Sequence, residues 1–424
     1  MNNVVKKIWK TKELRKTIAI VLMLLCIFRI AAHIPIPGVN TGALESLFSQ
    51  NQFLGFLNIF SGGALENFSI VMLGVGPYIT ASIIFQLLQM IVPKMEEMAK
   101  EGASGQQRIN QYTRLLAVPL AALQGYGTIT LLQNASGGSI LSNGMSVFDW
   151  VVAITVVTAG SIFLMWLGEL ISEKHVGNGV SLIIFAGIIA GLPSNIQQVF
   201  VTFDSSQLPS LLGFLLVGFI TIIGVVFITE GQRNIPISHA RHHTTSGQQS
   251  HLPMRINQAG VIPIIFAVSL VLAPSLIAQY LKPYNIPHLN GFLDRVIAAF
   301  ANQLIYGIIY FVLVVAFTYF YTAVVFHPDR IAENLQRGGS FIPGVRPGKA
   351  TADYLHQTSN RILLTGALFL GIIAVLPLIL QAFASGGLQN FAIGGTSLLI
   401  VVSVALETVK QIEAQLTLRD YEQF

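Results

Sequence analysis

Charge is scarce in this chain. Only 10% of its 424 residues are charged and 53% are hydrophobic, whereas a soluble domain carries roughly 25% charged residues. That excludes a soluble protein with a single anchor and points to a polytopic membrane protein. Cysteine is scarcer still. Cys26 is the only one, so an intramolecular disulfide is impossible. Within its apolar run the thiol is expected to be buried as a small hydrophobe. Catalytic patterns are missing too: HExxH, CxxC and GxSxG do not occur. Gly344–Thr351 (GVRPGKAT) fails as a phosphate loop, because Pro343 stands where the first glycine belongs. Buried mid-membrane carboxylates, the usual equipment of an ion-coupled transporter, are few. Glu169, Glu173 and Glu407 all sit near helix ends, and Arg29 lies in the first apolar run, where it could snorkel or pair. No catalytic residue, metal site or cofactor is expected. A cleavable signal peptide is not expected either, because the apolar run after Lys16 is long and no small-residue cleavage site follows it.

What is present is apolar length. Ten candidate spans approach the roughly 20 residues a bilayer requires: about Thr17–Ile36, Phe68–Val92, Leu115–Leu132, Trp150–Ile171, Val180–Phe200, Leu211–Thr229, Gln258–Leu281, Gln303–Phe326, Ile362–Gln381 and Phe391–Val409. Before them, Met1–Lys16 sets Val4, Val5, Ile8 and Trp9 against six basic residues, the pattern of a helix lying on anionic lipid. The basic residues then orient the chain. Of 24 Lys and Arg, Lys282 and Arg295 lie in one outer loop and Arg29 in a span, which leaves 24 − 3 = 21 on one side. By the positive-inside rule both termini are cytoplasmic.

Two cytoplasmic loops are long. Residues 230–257 carry His239, His242, His243 and His251, with no acidic or cysteine ligand beside them, and read as a solvated loop. Residues 327–360 carry Arg330, Arg337, Arg346 and Lys349 around a Gly/Pro-rich centre. Together they are either ordinary loops obeying the charge bias or a docking surface for a large anionic or acidic partner.

One stretch departs from simple spans. Phe53–Val92 is apolar but interrupted at Ser61-Gly62-Gly63 and at Gly74-Val75-Gly76-Pro77. Glycine and proline weaken helices there, and freed backbone inside a bilayer needs protein or water to satisfy it. Two readings stand: a half-helix (about Gly55 to Asn67) dipping into the membrane before a kinked helix Phe68–Val92, or one kinked helix after an apolar loop. Other spans are broken by Pro119, Pro193, Pro263, Pro274 and Pro377. Next to breaks lie Val75 and Ile79, Val180 and Ile184, Ile265, and Ile400. Singly these are packing or lipid-facing residues. Converging on one constriction, they would form an apolar neck that excludes water and ions by dewetting.

Several long motifs, in order, are similar to those of the SecY family, the channel subunits of bacterial protein translocases. They are FRIAAHIPIPGV (28–39), FSGGALENFSIVMLGVGPYITASIIFQLL (60–88), GNGVSLIIFAGIIAGLP (177–193), HLPMRINQAGVIPIIFA (251–267), FIPGVRPGKAT (341–351) and GGTSLLIVVSVALET (394–408). The resemblance covers essentially the whole chain. It implies an all-α polytopic fold of ten helices in two inverted halves, 17–200 and 201–409, around an hourglass pore, with a cytoplasmic tail at 410–424.

It also implies site residues. The segment 53–67, with Phe60, Ser61, Gly62, Gly63 and Leu65, would be the plug. Val75, Ile79, Val180, Ile184, Ile265 and Ile400 would be the pore ring. The second and seventh spans would face the third and eighth across a lateral gate, where Thr80 and Gln124 are the polar positions. Arg241, Arg346 and Lys349 would dock the motor ATPase or the ribosome. Around Arg241 the loop departs from the family, with histidines where basic residues are usual. The implied partners are SecE-type and SecG-type subunits, the SecA motor, the ribosome, signal peptides, nascent chains and anionic lipids. The implied setting is a bacterial plasma membrane. An accessory SecY paralogue with few substrates, or a small-solute transporter, are the competing functions. ATP hydrolysis is expected only in the partner motor.

Overall fold

The computed structural model describes residues 11–36, 58, 61–135, 146–202, 208–239, 250–282, 289–383 and 394–422. Phe60, Arg241, His242, His243, the side chain of His239 and most of the amphipathic N-terminal segment lie outside the described residues. The chain is helical almost throughout. Its elements are α1 (Lys12–Ala31), α2 (Gly76–Ile91), α3 (Pro93–Lys100), α4 (Ala103–Ala135), α5 (Val147–Ser172), α6 (Gly179–Thr202) and α7 (Leu208–Glu230). There follow β1 (Gln232–His239), β2 (Ser250–Arg255), α8 (Ile262–Leu281), α9 (Asn290–Ala301), α10 (Gln303–Val325), α11 (Pro328–Arg337), β3 (Ser340–Phe341), α12 (Lys349–Phe383) and α13 (Gly394–Glu422).

Each of the ten candidate spans overlaps one helix: α1, α2, α4 to α8, α10, α12 and α13. Among the described residues, the spans in α4, α5, α10 and α12 are long and apolar enough to cross a membrane by themselves, and the bent pair α2–α3 adds a fifth. That bend of 100° falls at Val92-Pro93, where the proline opens α3. Apolar side chains face outward in numbers no aqueous surface would carry: Phe227 on α7 is 73% exposed and Leu304 on α10 is 75% exposed. Such a belt is what lipid covers.

The structure alters several expectations. Cys26 is exposed, because α1 turns Val21, Leu24 and Phe28 inward and leaves Cys26 on another face. The helix expected from Phe68 begins at Gly76, with turns from Gly62 to Val75. Phe68 takes a left-handed φ of 45°, and Pro35 and Ser69 form a β-bridge, so the backbone there is satisfied across the fold and not along a helix. Pro119, Pro193 and Pro274 do not break their spans; α4, α6 and α8 run through them. The histidine-bearing loop is not simply solvated either. Its ends pair as the antiparallel strands β1 and β2.

Candidate functional site: neck, plug segment, gate seam and docking loops

The neck residues come from four helices and the turn before α2. Val75, Ile79, Ile184, Ile265 and Ile400 are all buried and belong to one contiguous apolar cluster, and half-buried Val180 packs against it. Val75 and Ile265 stand where helices begin. Val75 caps α2, with Pro77 in the first turn of that helix. Ile265 lies in the first turn of α8, whose Pro263 is likewise N-terminal. Beta-branched side chains at such points are stiff about χ1 and present methyl groups with no polar partner.

The turns at 61–75 wedge between α1, α5 and α6. Ser61, Ala64, Leu65, Phe68 and Ser69 are buried. Ser61 Oγ donates to the Asn58 carbonyl at 2.9 Å and accepts from the Leu65 amide at 3.0 Å. Gly62 has φ +69°, and a Cβ added there would lie 2.8 Å from Gly187 Cα of α6 and 3.0 Å from Phe28 Cζ of α1. Only glycine fits on steric and dihedral grounds alike. Gly63 also has positive φ, +81°, but open space around it. Farther along, Ser161 Oγ of α5 donates to the Gly74 carbonyl at 3.1 Å.

Thr80 and Gln124, the expected gate positions, meet. Gln124 Nε2 of α4 donates to Thr80 Oγ1 of α2 at 3.4 Å, and Thr80 Oγ1 donates to the Gly76 carbonyl one turn back at 3.1 Å. Around this pair, α8 packs on both α2 and α4, and α13 packs on α6. These are the contacts by which the first five spans meet the last five. Gln415 of α13 adds a link, with Nε2 donating to the His175 carbonyl at 2.8 Å.

The long loops join, which their sequences did not reveal. β1 pairs with β2 and also with β3, in the order β2-β1-β3, with Ser238 opposite Phe341. Beneath the sheet Ile235, Met254, Ile342 and Leu355 form their own buried cluster. On this base stands the turn holding Arg346. Gly344 and Gly348 take φ +83° and +94°, and Thr351 Oγ1 donates to the Arg346 carbonyl at 2.8 Å. The side chains of Arg346 and Lys349 are exposed. Arg29, which the sequence marks as able to snorkel or pair, pairs with a backbone carbonyl. Its Nη1 donates to the Gly62 carbonyl at 2.5 Å. It had only its intramembrane charge to mark it.

The family model for SecY matches residues 69–409. Protein translocase subunit SecY of Mycobacterium tuberculosis (strain ATCC 25618 / H37Rv) is 41% identical over 436 residues, covering 98% of each chain. That of Halalkalibacterium halodurans is 41% identical over 442 residues and all of both chains. Among solved structures, a protein-conducting channel has a TM-score of 0.64 at 20% identity, over 93% of this chain and 90% of its own. Sec61 in the canine ribosome-channel complex from the endoplasmic reticulum has a TM-score of 0.60 at 19% identity, over 93% and 90%. At that identity these structures speak for the fold, and the sequence matches speak for the family: the chain belongs to the SecY family.

Proposed function

We propose that this chain is a protein-conducting channel whose conduit passes through the neck of Val75, Ile79, Val180, Ile184, Ile265 and Ile400. The observation that supports the route is that five of the six, from separate elements, are buried in one apolar core, with Val180 packed against it. Aliphatic contact is non-directional, so such a ring closes on itself or around any passing polypeptide without reading its sequence. Empty, it holds back water and ions by dewetting. Residues 53–67 act as the plug on the outer side, and the Thr80–Gln124 pair holds the seam through which apolar segments leave for lipid.

The chain is a channel and not an enzyme, and the energy comes from outside it. A SecA motor hydrolyses ATP, or a ribosome elongates the nascent chain, each docking on the basic loops with Arg346 and Lys349 in contact and Arg241 beside them. Ribosomal contact there is salt-sensitive phosphate binding without base reading. A SecE-type subunit clamps the two halves, and a SecG-type subunit accompanies it. Both termini lie in the cytoplasm of a bacterial plasma membrane, where the basic N-terminal segment rests on anionic lipid.

Reconstitution tests this. The chain and a SecE-type partner are placed in vesicles with SecA, ATP and a secretory precursor. ATP-dependent protection of the precursor from protease is expected, and Arg346→Glu abolishes it. No protection, with motor and precursor competent on another channel, rejects the general channel in favour of one dedicated to few substrates.

A further inference from the structure

Residues 62–70 are attached to the end of α1 in two different ways. From Phe68 onward the attachment is backbone: the Ile36 amide donates to the Phe68 carbonyl and the Ile70 amide to the Ile34 carbonyl, both at 3.0 Å. Before Phe68 it is made by side chains. Arg29 Nη1 donates to the Gly62 carbonyl at 2.5 Å, while Asn67 Nδ2 reaches the Ala32 carbonyl only at 3.4 Å. The first of these sits at a close backbone crossing, where a Cβ on Gly187 would lie 2.5 Å from Gly62 Cα. The guanidinium also lies over the Phe28 ring, 5.9 Å from its centroid. Among the described residues no carboxylate pairs with Arg29.

We infer that Arg29 is the releasable latch of the plug: its guanidinium holds the Gly62 carbonyl so that Gly62 stays seated on Gly187, and on its release residues 61–66 swing while the bridge at 68–70 stays. The inference rests on the plug role proposed for 53–67. A charged donor on a neutral carbonyl is stronger than an ordinary hydrogen bond, yet easier to leave than a buried ion pair. Position serves release as well. Arg29 is in the last turn of α1, and from a helix end a long cationic side chain can carry its charge to the interface once the carbonyl departs. Because the acceptor is backbone, the latch does not depend on which side chain stands at residue 62, only on its having none.

The test is amide hydrogen exchange on the full chain in lipid vesicles without precursor, alongside ion leak. In Arg29→Met, the amides of Gly63 and Leu65 exchange faster by roughly tenfold or more, leak rises, and the bridge amides of Ile36 and Ile70 stay as protected as before. Arg29→Lys restores part of the protection, having a compact ammonium in place of a planar fork. Gly187→Ala, which leaves Arg29 intact, speeds the same two amides by unseating Gly62. Unchanged exchange at Gly63 and Leu65 in Arg29→Met overturns the latch. So does an equal rise at the bridge amides and through α5, which would make Arg29 a general structural residue. Exchange without precursor is independent of transport. A chain whose plug amides respond but which never protects a precursor contradicts the channel reading and leaves the latch standing.

Discussion

Single side chains decide the neck and the seam. Ile79 and Ile400 are 5% and 1% exposed within one apolar cluster. Asparagine at either site buries an amide without a partner, which costs roughly 1–3 kcal/mol in the closed arrangement, and a polar neck wets more readily. Ile79→Asn and Ile400→Asn are therefore expected to raise ion leak and to pass precursors with defective signal sequences. Patch recordings and export assays check this, and unchanged leak in both variants counts against the neck placement. Thr80→Val removes the hydroxyl that accepts from Gln124. A polar pair between membrane helices is worth about 1 kcal/mol, so the gate equilibrium shifts toward open by roughly fivefold, read as faster crosslinking of a signal peptide at the seam. Thr80→Ser keeps the wild-type rate. At this scale the burial of Val75, Ile79, Ile184, Ile265 and Ile400 in one apolar core and the meeting of Thr80 with Gln124 agree with positions that breaks and family motifs marked in the sequence. The contacts of Arg29 and Gly187 were not so marked. Their roles arise from a backbone crossing 125 positions apart in the chain, Gly62 on Gly187, and nothing local announces it.

Elements were legible where burial has no direction. A helix surrounded by lipid and other helices is apolar all round, so length alone finds it: Trp150–Ile171 became Val147–Ser172, and Gln303–Phe326 became Gln303–Val325. Elements that depend on distant partners stayed hidden. Neither β1 nor β3 advertises a strand, since the two-residue β3 lies about a hundred positions from its partner. The turns at 62–75 are apolar enough to read in part as helix, yet at Phe68 and Ile70 the backbone bonds to Ile36 and Ile34, partners that local periodicity does not show. The sheet makes one unit of the two long loops, and this has a consequence for the proposed docking. Leu355 is fully buried beneath it. Leu355→Ala is expected to cost about 2–5 kcal/mol locally and to loosen the base on which the Arg346 turn stands. Titration of the motor against the reconstituted chain should show several-fold weaker binding although Arg346 is unchanged. Wild-type affinity would mean that the turn is held independently of the sheet.

For the whole molecule, the first five and last five spans meet through α8 on α2 and α4 and through α13 on α6. Its outer surface is apolar, as at Phe219 on α7 and Ile308 on α10, which are 65% and 64% exposed. The protein thus offers a translocating chain two very different apolar surroundings, the neck and the lipid face, and the account requires the neck. Photocrosslinking of a precursor stalled in transit tests this most directly, with benzoylphenylalanine placed in turn at positions 265, 400, 219 and 308. The account predicts adducts from 265 and 400 and none from 219 and 308. Adducts from 219 or 308 with none from 265 or 400 would contradict it.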